Sequence, residues 1–193
     1  MNKNIEIEYK ILINKKQYEQ MKLLFKNKPY QQINYYFDTK DEFLRKQRIT
    51  LRTRFKDNKY EFTLKRFGDI GLDEYNENIT KEDFINLTKQ IPIKSQILEL
   101  LKKDYDLDLT DLCQIYTLKT TRIDKPYMNG VLSLDLSEYM NVIDYELEYE
   151  VISTENAVEN FNAFLKPFHL QYTTNCKGKR HRLCDALYGH ARF

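Results

Sequence analysis

Three charged residues spaced two apart stand near the start of the chain: Glu6, Glu8 and Lys10, in Ile5-Glu6-Ile7-Glu8-Tyr9-Lys10-Ile11. An extended chain alternates its faces, so the carboxylates and the ammonium project from one side and Ile5, Ile7, Tyr9 and Ile11 from the other. Two carboxylates beside an ammonium suit a divalent cation carrying a phosphate, the carboxylates taking the metal and the lysine the anion. The same spacing also suits an ordinary half-buried strand with a solvated face.

The pattern recurs along the chain. Arg52, Arg54 and Lys56 alternate with Leu51, Thr53 and Phe55; Glu61, Thr63 and Lys65 with Tyr60, Phe62 and Leu64. Ser133 and Asp135 alternate with Leu132, Leu134 and Leu136, and Asp144, Glu146, Glu148 and Glu150 with Ile143, Tyr145, Leu147, Tyr149 and Val151. Such residues fit phosphoryl transfer, in which positioning and charge neutralisation do most of the work. Arg52 and Arg54 can grip phosphate oxygens with planar forks, and Lys10, Lys65, Arg122 and Lys177 can spread positive charge along the anion. Glu6, Glu8, Glu146 and Glu148 can hold Mg²⁺ or Mn²⁺, which prefer oxygen ligands, and such a metal lowers the pKa of an attacking water. A carboxylate and a lysine of depressed pKa are both open as general base. Glu61 pairs better with a neighbouring base than with metal. Lys179 and Arg180 either cap the final helix or join the site. His169, His181 and His190 lack metal-ligand spacing and read as surface or packing residues. Gly68 and Gly71 bracket a turn rather than forming a phosphate loop.

These residues need a scaffold. The 193 residues suit a single domain spanning 1–193. Charged residues make up 31% of the chain, but the formal net charge is only +2, which argues against a nucleic-acid duplex as partner. Three cysteines, at 113, 176 and 184, lack metal or redox spacing and suit free thiols in a reducing compartment. Met1–Asn4 is polar, without a signal core, and no apolar run reaches a membrane span. The expectation is a cytoplasmic protein. Strands are expected near 4–13, 30–37, 47–57, 59–67, 70–79, 112–124, 130–137 and 141–152, and helices near 15–27, 81–90, 94–104, 155–166 and 179–188, with Thr80 and Asp83 as a helix cap. Helices can cover the apolar strand faces, as with Met21, Leu24 and Phe25. The charged faces then meet open solvent or line a lumen, and roughly eight antiparallel strands suffice to close a barrel. The mixture of acidic and basic strands favours closure. The expected fold is α+β: a closed antiparallel β-barrel with helices packed outside.

In these motifs and their order the chain resembles the CYTH superfamily, also called triphosphate tunnel metalloenzymes, and within it the small bacterial members. The resemblance runs from Glu6, Glu8 and Lys10 to the chain end. It includes Arg52 and Arg54, the Phe-Thr-Leu-Lys ending at Lys65, the segment ending at Arg122, the Leu-Asp-Leu-Ser-Glu-Tyr holding Asp135, the run with Glu146, Glu148 and Glu150, and Cys-Lys-Gly-Lys-Arg with Lys177, Lys179 and Arg180. It implies a tunnel that binds triphosphate through basic residues and a divalent metal, Mg²⁺ or Mn²⁺, through glutamates. By this resemblance Lys10, Lys65 and Arg122 serve catalysis; Arg52, Arg54, Lys65, Lys177, Lys179 and Arg180 bind substrate; and Glu6, Glu8, Glu146, Glu148 and Glu150 bind metal. Glu61, Glu74 and Asp135 support them. Two positions depart from the family pattern: Asn76 stands where a second acidic residue is expected, and Cys176 replaces a usual serine. The family includes inorganic, thiamine and RNA triphosphatases and one class of adenylyl cyclase. The leading expectation is a metal-dependent hydrolase of inorganic triphosphate. A cyclase, a thiamine triphosphatase (in a chain without Trp) and a non-catalytic polyphosphate or nucleotide binder are the alternatives.

Overall fold

The computed structural model describes residues 1–68 and 71–189. Among these are nine strands and six α-helices. In chain order they are β1 (Asn2–Glu6), β2 (Glu8–Ile13), α1 (Lys15–Lys22), β3 (Tyr30–Asp38), α2 (Phe43–Lys46), β4 (Thr50–Lys56), β5 (Lys59–Phe67), β6 (Leu72–Ile79), α3 (Lys81–Thr88), α4 (Gln96–Tyr105), β7 (Cys113–Tyr127), β8 (Gly130–Tyr139), β9 (Val142–Val151), α5 (Ala157–Leu165) and α6 (Lys179–Tyr188). The fold is α+β with antiparallel strand pairing. No described helix is long and apolar enough to cross a membrane. The chain divides into two compact units, Met1–Glu6 with Gln32–Thr117, and Ile7–Gln31 with Leu118–Phe193.

In the first unit the strands run in the order β1-β6-β5-β4-β3. Pairing sets Tyr36 opposite Arg52, Arg52 opposite Thr63, Arg54 opposite Glu61 and Lys65 opposite Glu74. Directly opposed residues share a face, so these side chains form one polar surface. The other face is apolar: Phe37, Leu51, Phe62, Leu64 and Tyr75 pack with Leu44 of α2, Leu87 of α3 and Ile97, Leu98 and Leu101 of α4. Thr80 and Asp83 cap α3 reciprocally. The α2 turn was not expected from the sequence. It is held by the buried Asp38 carboxylate, which accepts the backbone N–H groups of Leu44 at 2.7 Å and Arg45 at 2.9 Å.

In the second unit β7, β8, β9 and β2 are consecutive neighbours. One row sets Arg122, Asp135 and Glu146 side by side, and the next sets Ser133, Glu148 and Lys10. Behind them Ile123, Leu132, Leu134, Leu147 and Tyr149 pack with Tyr18 and Met21 of α1 and Phe161, Phe164 and Leu165 of α5. Gly130 opens β8 after the turn at Met128 and Asn129, and an added Cβ there would come within 2.1 Å of the Glu150 carbonyl oxygen.

Three expectations need correction. The strand expected over 4–13 is two strands parted at Ile7, because β1 pairs with β6 while β2 pairs with β9. The first helix stops at Lys22. Leu24 lies beyond it and is exposed, whereas Met21 and Phe25 are buried.

Candidate functional site

The polar face of the first unit centres on cations. Lys65 reaches Glu6 and Glu74, each at 2.5 Å. Asn76 donates to Glu74 at 2.7 Å and accepts from the Thr63 hydroxyl at 2.7 Å. The residue met where an acid was expected therefore orients Glu74. Burial alone would raise the Glu74 pKa, but the charges of Lys65 and Arg52 overrule it and hold the carboxyl at about 2. Arg54 donates to Asn34 at 3.3 Å and lies 3.9 Å from Glu61, the pairing expected of Glu61. Arg52 differs from its neighbours. It is buried at 9% exposure, its Nε is sealed without a hydrogen-bond partner, and among the described residues it forms no ion pair.

Carboxylates dominate the second unit. Single ligand oxygens of Asp135, Glu146 and Glu148 lie within 4.8 Å of one another. Lys179, the first residue of α6, sits on all three, 2.8 Å from Asp135, 2.6 Å from Glu148 and in contact with Glu146. Arg122 donates through two nitrogens to Asp135, both at 2.7 Å, and also contacts Glu148. Arg182 donates to Glu146 at 2.5 Å and to Asp144 at 2.8 Å. Lys10 pairs with Glu8 and is within electrostatic reach of Glu148 and Glu146. Burial raises Glu146 to about 7, against Lys179 and with help from the Glu148 charge. Burial also opposes the Glu148 charge, but Lys179 and Arg122 hold that carboxyl well below its ordinary range. Burial pushes the Cys176 thiol, beside Glu146, up to about 12.

The structure thus brings Arg52, Arg54, Glu61, Lys65, Glu74 and Glu6 together in one unit. It brings Glu8, Lys10, Arg122, Asp135, Glu146, Glu148 and Lys179 together in the other. Lys179 caps no helix end; it lies among the carboxylates. Lys177 is exposed and pairs with Asp185 at 2.7 Å, away from that cluster. Glu150 is exposed, opposite Glu8 in the strand register. Arg180 is half-buried at the start of α6. His169 and His181 are exposed, and His190 lies outside the described residues. Cys113, Cys176 and Cys184 are free thiols. The sequence reading missed Arg182, although Lys179 and Arg182 are spaced i, i+3 on α6 and so share a helix face.

The donor set suits a hard divalent cation, since Asp135, Glu146 and Glu148 supply anionic oxygen and little else. Lys179 supplies the balancing charge, so an arriving metal competes with an ammonium already bound.

Strand faces bearing phosphate-type cations in one unit and metal-type carboxylates in the other define a class, and comparison with known proteins agrees. The CYTH domain model matches residues 4–174, and the chain belongs to that family. YjbK of Bacillus subtilis (strain 168), described as a candidate triphosphatase, is 32% identical over 176 residues, covering 88% of this chain and 90% of that protein. The crystal structure of a candidate adenylate cyclase from Bacillus halodurans superposes with a TM-score of 0.86 at 33% identity, covering 94% of this chain and 98% of the other. HpAC1 from Hippeastrum, a candidate adenylyl cyclase described as having a dominant triphosphatase activity, shares the fold at a TM-score of 0.78 and 22% identity, covering 94% and 96% of the two chains.

Proposed function

We propose that this protein is a divalent-metal-dependent phosphohydrolase that cleaves a phosphoanhydride bond of a short triphosphate, with inorganic triphosphate as the substrate. One observation carries the proposal: Arg52 is a buried guanidinium whose Nε has no hydrogen-bond partner and which, among the described residues, forms no ion pair, on the same face as Lys65 and Arg54. A buried cation left unpaired is costly, and a phosphate oxygen is the acceptor that its planar fork fits. Kinship with YjbK supports the same reaction. In this reading Arg52, Arg54 and Lys65 hold phosphoryl oxygens. Asp135, Glu146 and Glu148, with Glu8 of the same unit, would hold Mg²⁺ or Mn²⁺. When bound, that ion supplies charge neutralisation and a more acidic water. Lys10, Lys179, Arg122 and Arg182 position the carboxylates and keep their charge balanced. The three thiols suit the cytoplasm.

Phosphate release with Mg²⁺ or Mn²⁺, screened over inorganic triphosphate, ATP, thiamine triphosphate and pyrophosphate, tests the proposal. Preference for inorganic triphosphate supports it. Cyclic AMP with pyrophosphate from ATP would replace it with the cyclase reading, which the likeness to the Bacillus halodurans protein keeps in view.

A further inference from the structure

Tyr36 lies directly opposite Arg52 across β3 and β4, so the two side chains leave the sheet on the same face. Both are buried, at 3% and 9% exposure. Among the described residues neither makes a hydrogen bond or an ion pair. The Tyr36 ring is held by burial and by Tyr116, with ring centroids 6.5 Å apart. The acceptors around the pair are committed elsewhere. Glu74, Glu6 and Glu61 lie within electrostatic reach of Arg52, but Glu74 and Glu6 contact Lys65 and Glu61 lies 3.9 Å from Arg54. The Asn34 oxygen, two residues before Tyr36, accepts from Arg54. A hydroxyl and a guanidinium therefore stand side by side with donors to give and no protein acceptor to take them. Buried polar groups are nearly always paired, and the Arg52 Nε is one that is not. The missing partner must accept at several oxygens and carry negative charge.

We propose that Tyr36 is a substrate-binding residue, its hydroxyl donating to a phosphoryl oxygen of the same group that Arg52 holds. This rests on the triphosphate reading of the site and deepens it, adding a residue outside the charged motifs that carry that reading. Arg52 supplies charge, and Tyr36 supplies a directional donor whose ring is already immobilised. Little ordering entropy is then lost when the anion arrives. The contact forms with the ground state and persists through reaction, so it acts on binding rather than on the chemical step.

The test uses the full chain with three proteins: wild type, Tyr36→Phe and Tyr116→Phe. Each change deletes one hydroxyl and keeps the ring. Affinity for inorganic triphosphate is read by calorimetry, kinetics by phosphate release, and folding by denaturant unfolding. Tyr36→Phe should raise Kd and KM about tenfold, the scale of one hydrogen bond to a charged group. It should leave kcat within about twofold and leave unfolding unchanged. Tyr116→Phe should behave as wild type. The inference is overturned if Tyr36→Phe binds triphosphate as wild type does, or if Tyr116→Phe weakens binding equally, which would mark a packing effect. Either result leaves the triphosphatase reading standing when the wild type turns over. A wild type that neither binds nor cleaves triphosphate overturns both.

Discussion

In the second unit each cation of the cluster sits against a carboxylate: Lys179 against Asp135, Glu146 and Glu148, Arg122 against Asp135 and Glu148, Arg182 against Glu146 and Asp144. In the first unit Lys65 is held the same way by Glu6 and Glu74, but Arg52, which is more buried, forms no ion pair among the described residues and leaves its Nε without a hydrogen bond. The two polar faces arise from the same period-two alternation and differ in charge balance. One has its cations matched and keeps three close carboxylates, the composition of a cation site. The other keeps an unsatisfied guanidinium, the composition of an anion site. A matched buried pair is costly to break because its survivor stays buried and charged. An unmatched group costs little to remove. Stability and ligand binding should therefore separate between the units.

The largest expected effect comes from Arg122→Met. It keeps the volume of the stem but leaves Asp135, which is fully buried, with Lys179 alone. Loss of one partner of a buried pair should lower unfolding free energy by about 3–5 kcal/mol, read by denaturant unfolding. A change below about 1 kcal/mol would show that this unit is not charge-matched in the way described.

Acid titration sharpens the comparison next. The folded Glu74 pKa is about 2 against an ordinary 4.5, a depressed carboxyl. Its stabilising contribution is full above pH 4.5 and is lost as pH falls from there toward 2, by up to about 3 kcal/mol. Unfolding measured from pH 6 to pH 2 should show this loss in the wild type, and Glu74→Gln should flatten it. An unchanged slope in the variant would mean that Lys65 and Arg52 do not hold that carboxylate.

Arg52→Met is the complement of Arg122→Met. Unfolding free energy should stay within about 1 kcal/mol of wild type, since Lys65 still contacts Glu74 and Glu6 when Arg52 is gone. Triphosphate affinity should fall by about 1.5–3 kcal/mol, tenfold to hundredfold, for one charge-assisted contact. Calorimetry and unfolding on one protein sample give both readings. Large destabilisation with unchanged affinity would invert the roles assigned to the two units.

What could be read from the sequence follows the same physics. Alternation placed Arg52, Lys65, Asp135, Glu146 and Glu148 on polar faces, because a half-buried strand leaves side chains no other choice. The Thr80 cap and the span of α6 were local signals, and both stand in the structure. The break at Ile7 was invisible because alternation continues through it while the hydrogen-bonding partner changes. The α2 turn depends on the Asp38 carboxylate, a tertiary contact no propensity reports. Tyr36 sits in Tyr35-Tyr36-Phe37, where three aromatic residues in a row hide which one faces the site. Lys177 looked like its neighbour Lys179, yet only Lys179 begins the helix that carries it to the carboxylates.

That last pair yields the smallest expected effect. Lys177 and Asp185 form an ion pair at 2.7 Å with side chains 67% and 37% exposed. Water competes for both partners, so such pairs contribute under about 1 kcal/mol. Lys177→Ala should leave unfolding within that margin and triphosphate turnover near wild type. Lys179→Ala is the contrast: it removes the ammonium shared by Asp135, Glu146 and Glu148, leaving three carboxylates with less positive charge to oppose their repulsion. Lys179→Ala should therefore bind Mg²⁺ more tightly while folding less stably, both read by titrating the metal during unfolding. If Lys177→Ala abolished turnover while Lys179→Ala did nothing, the assignment of the second unit's working cation would move from the helix to the segment before it.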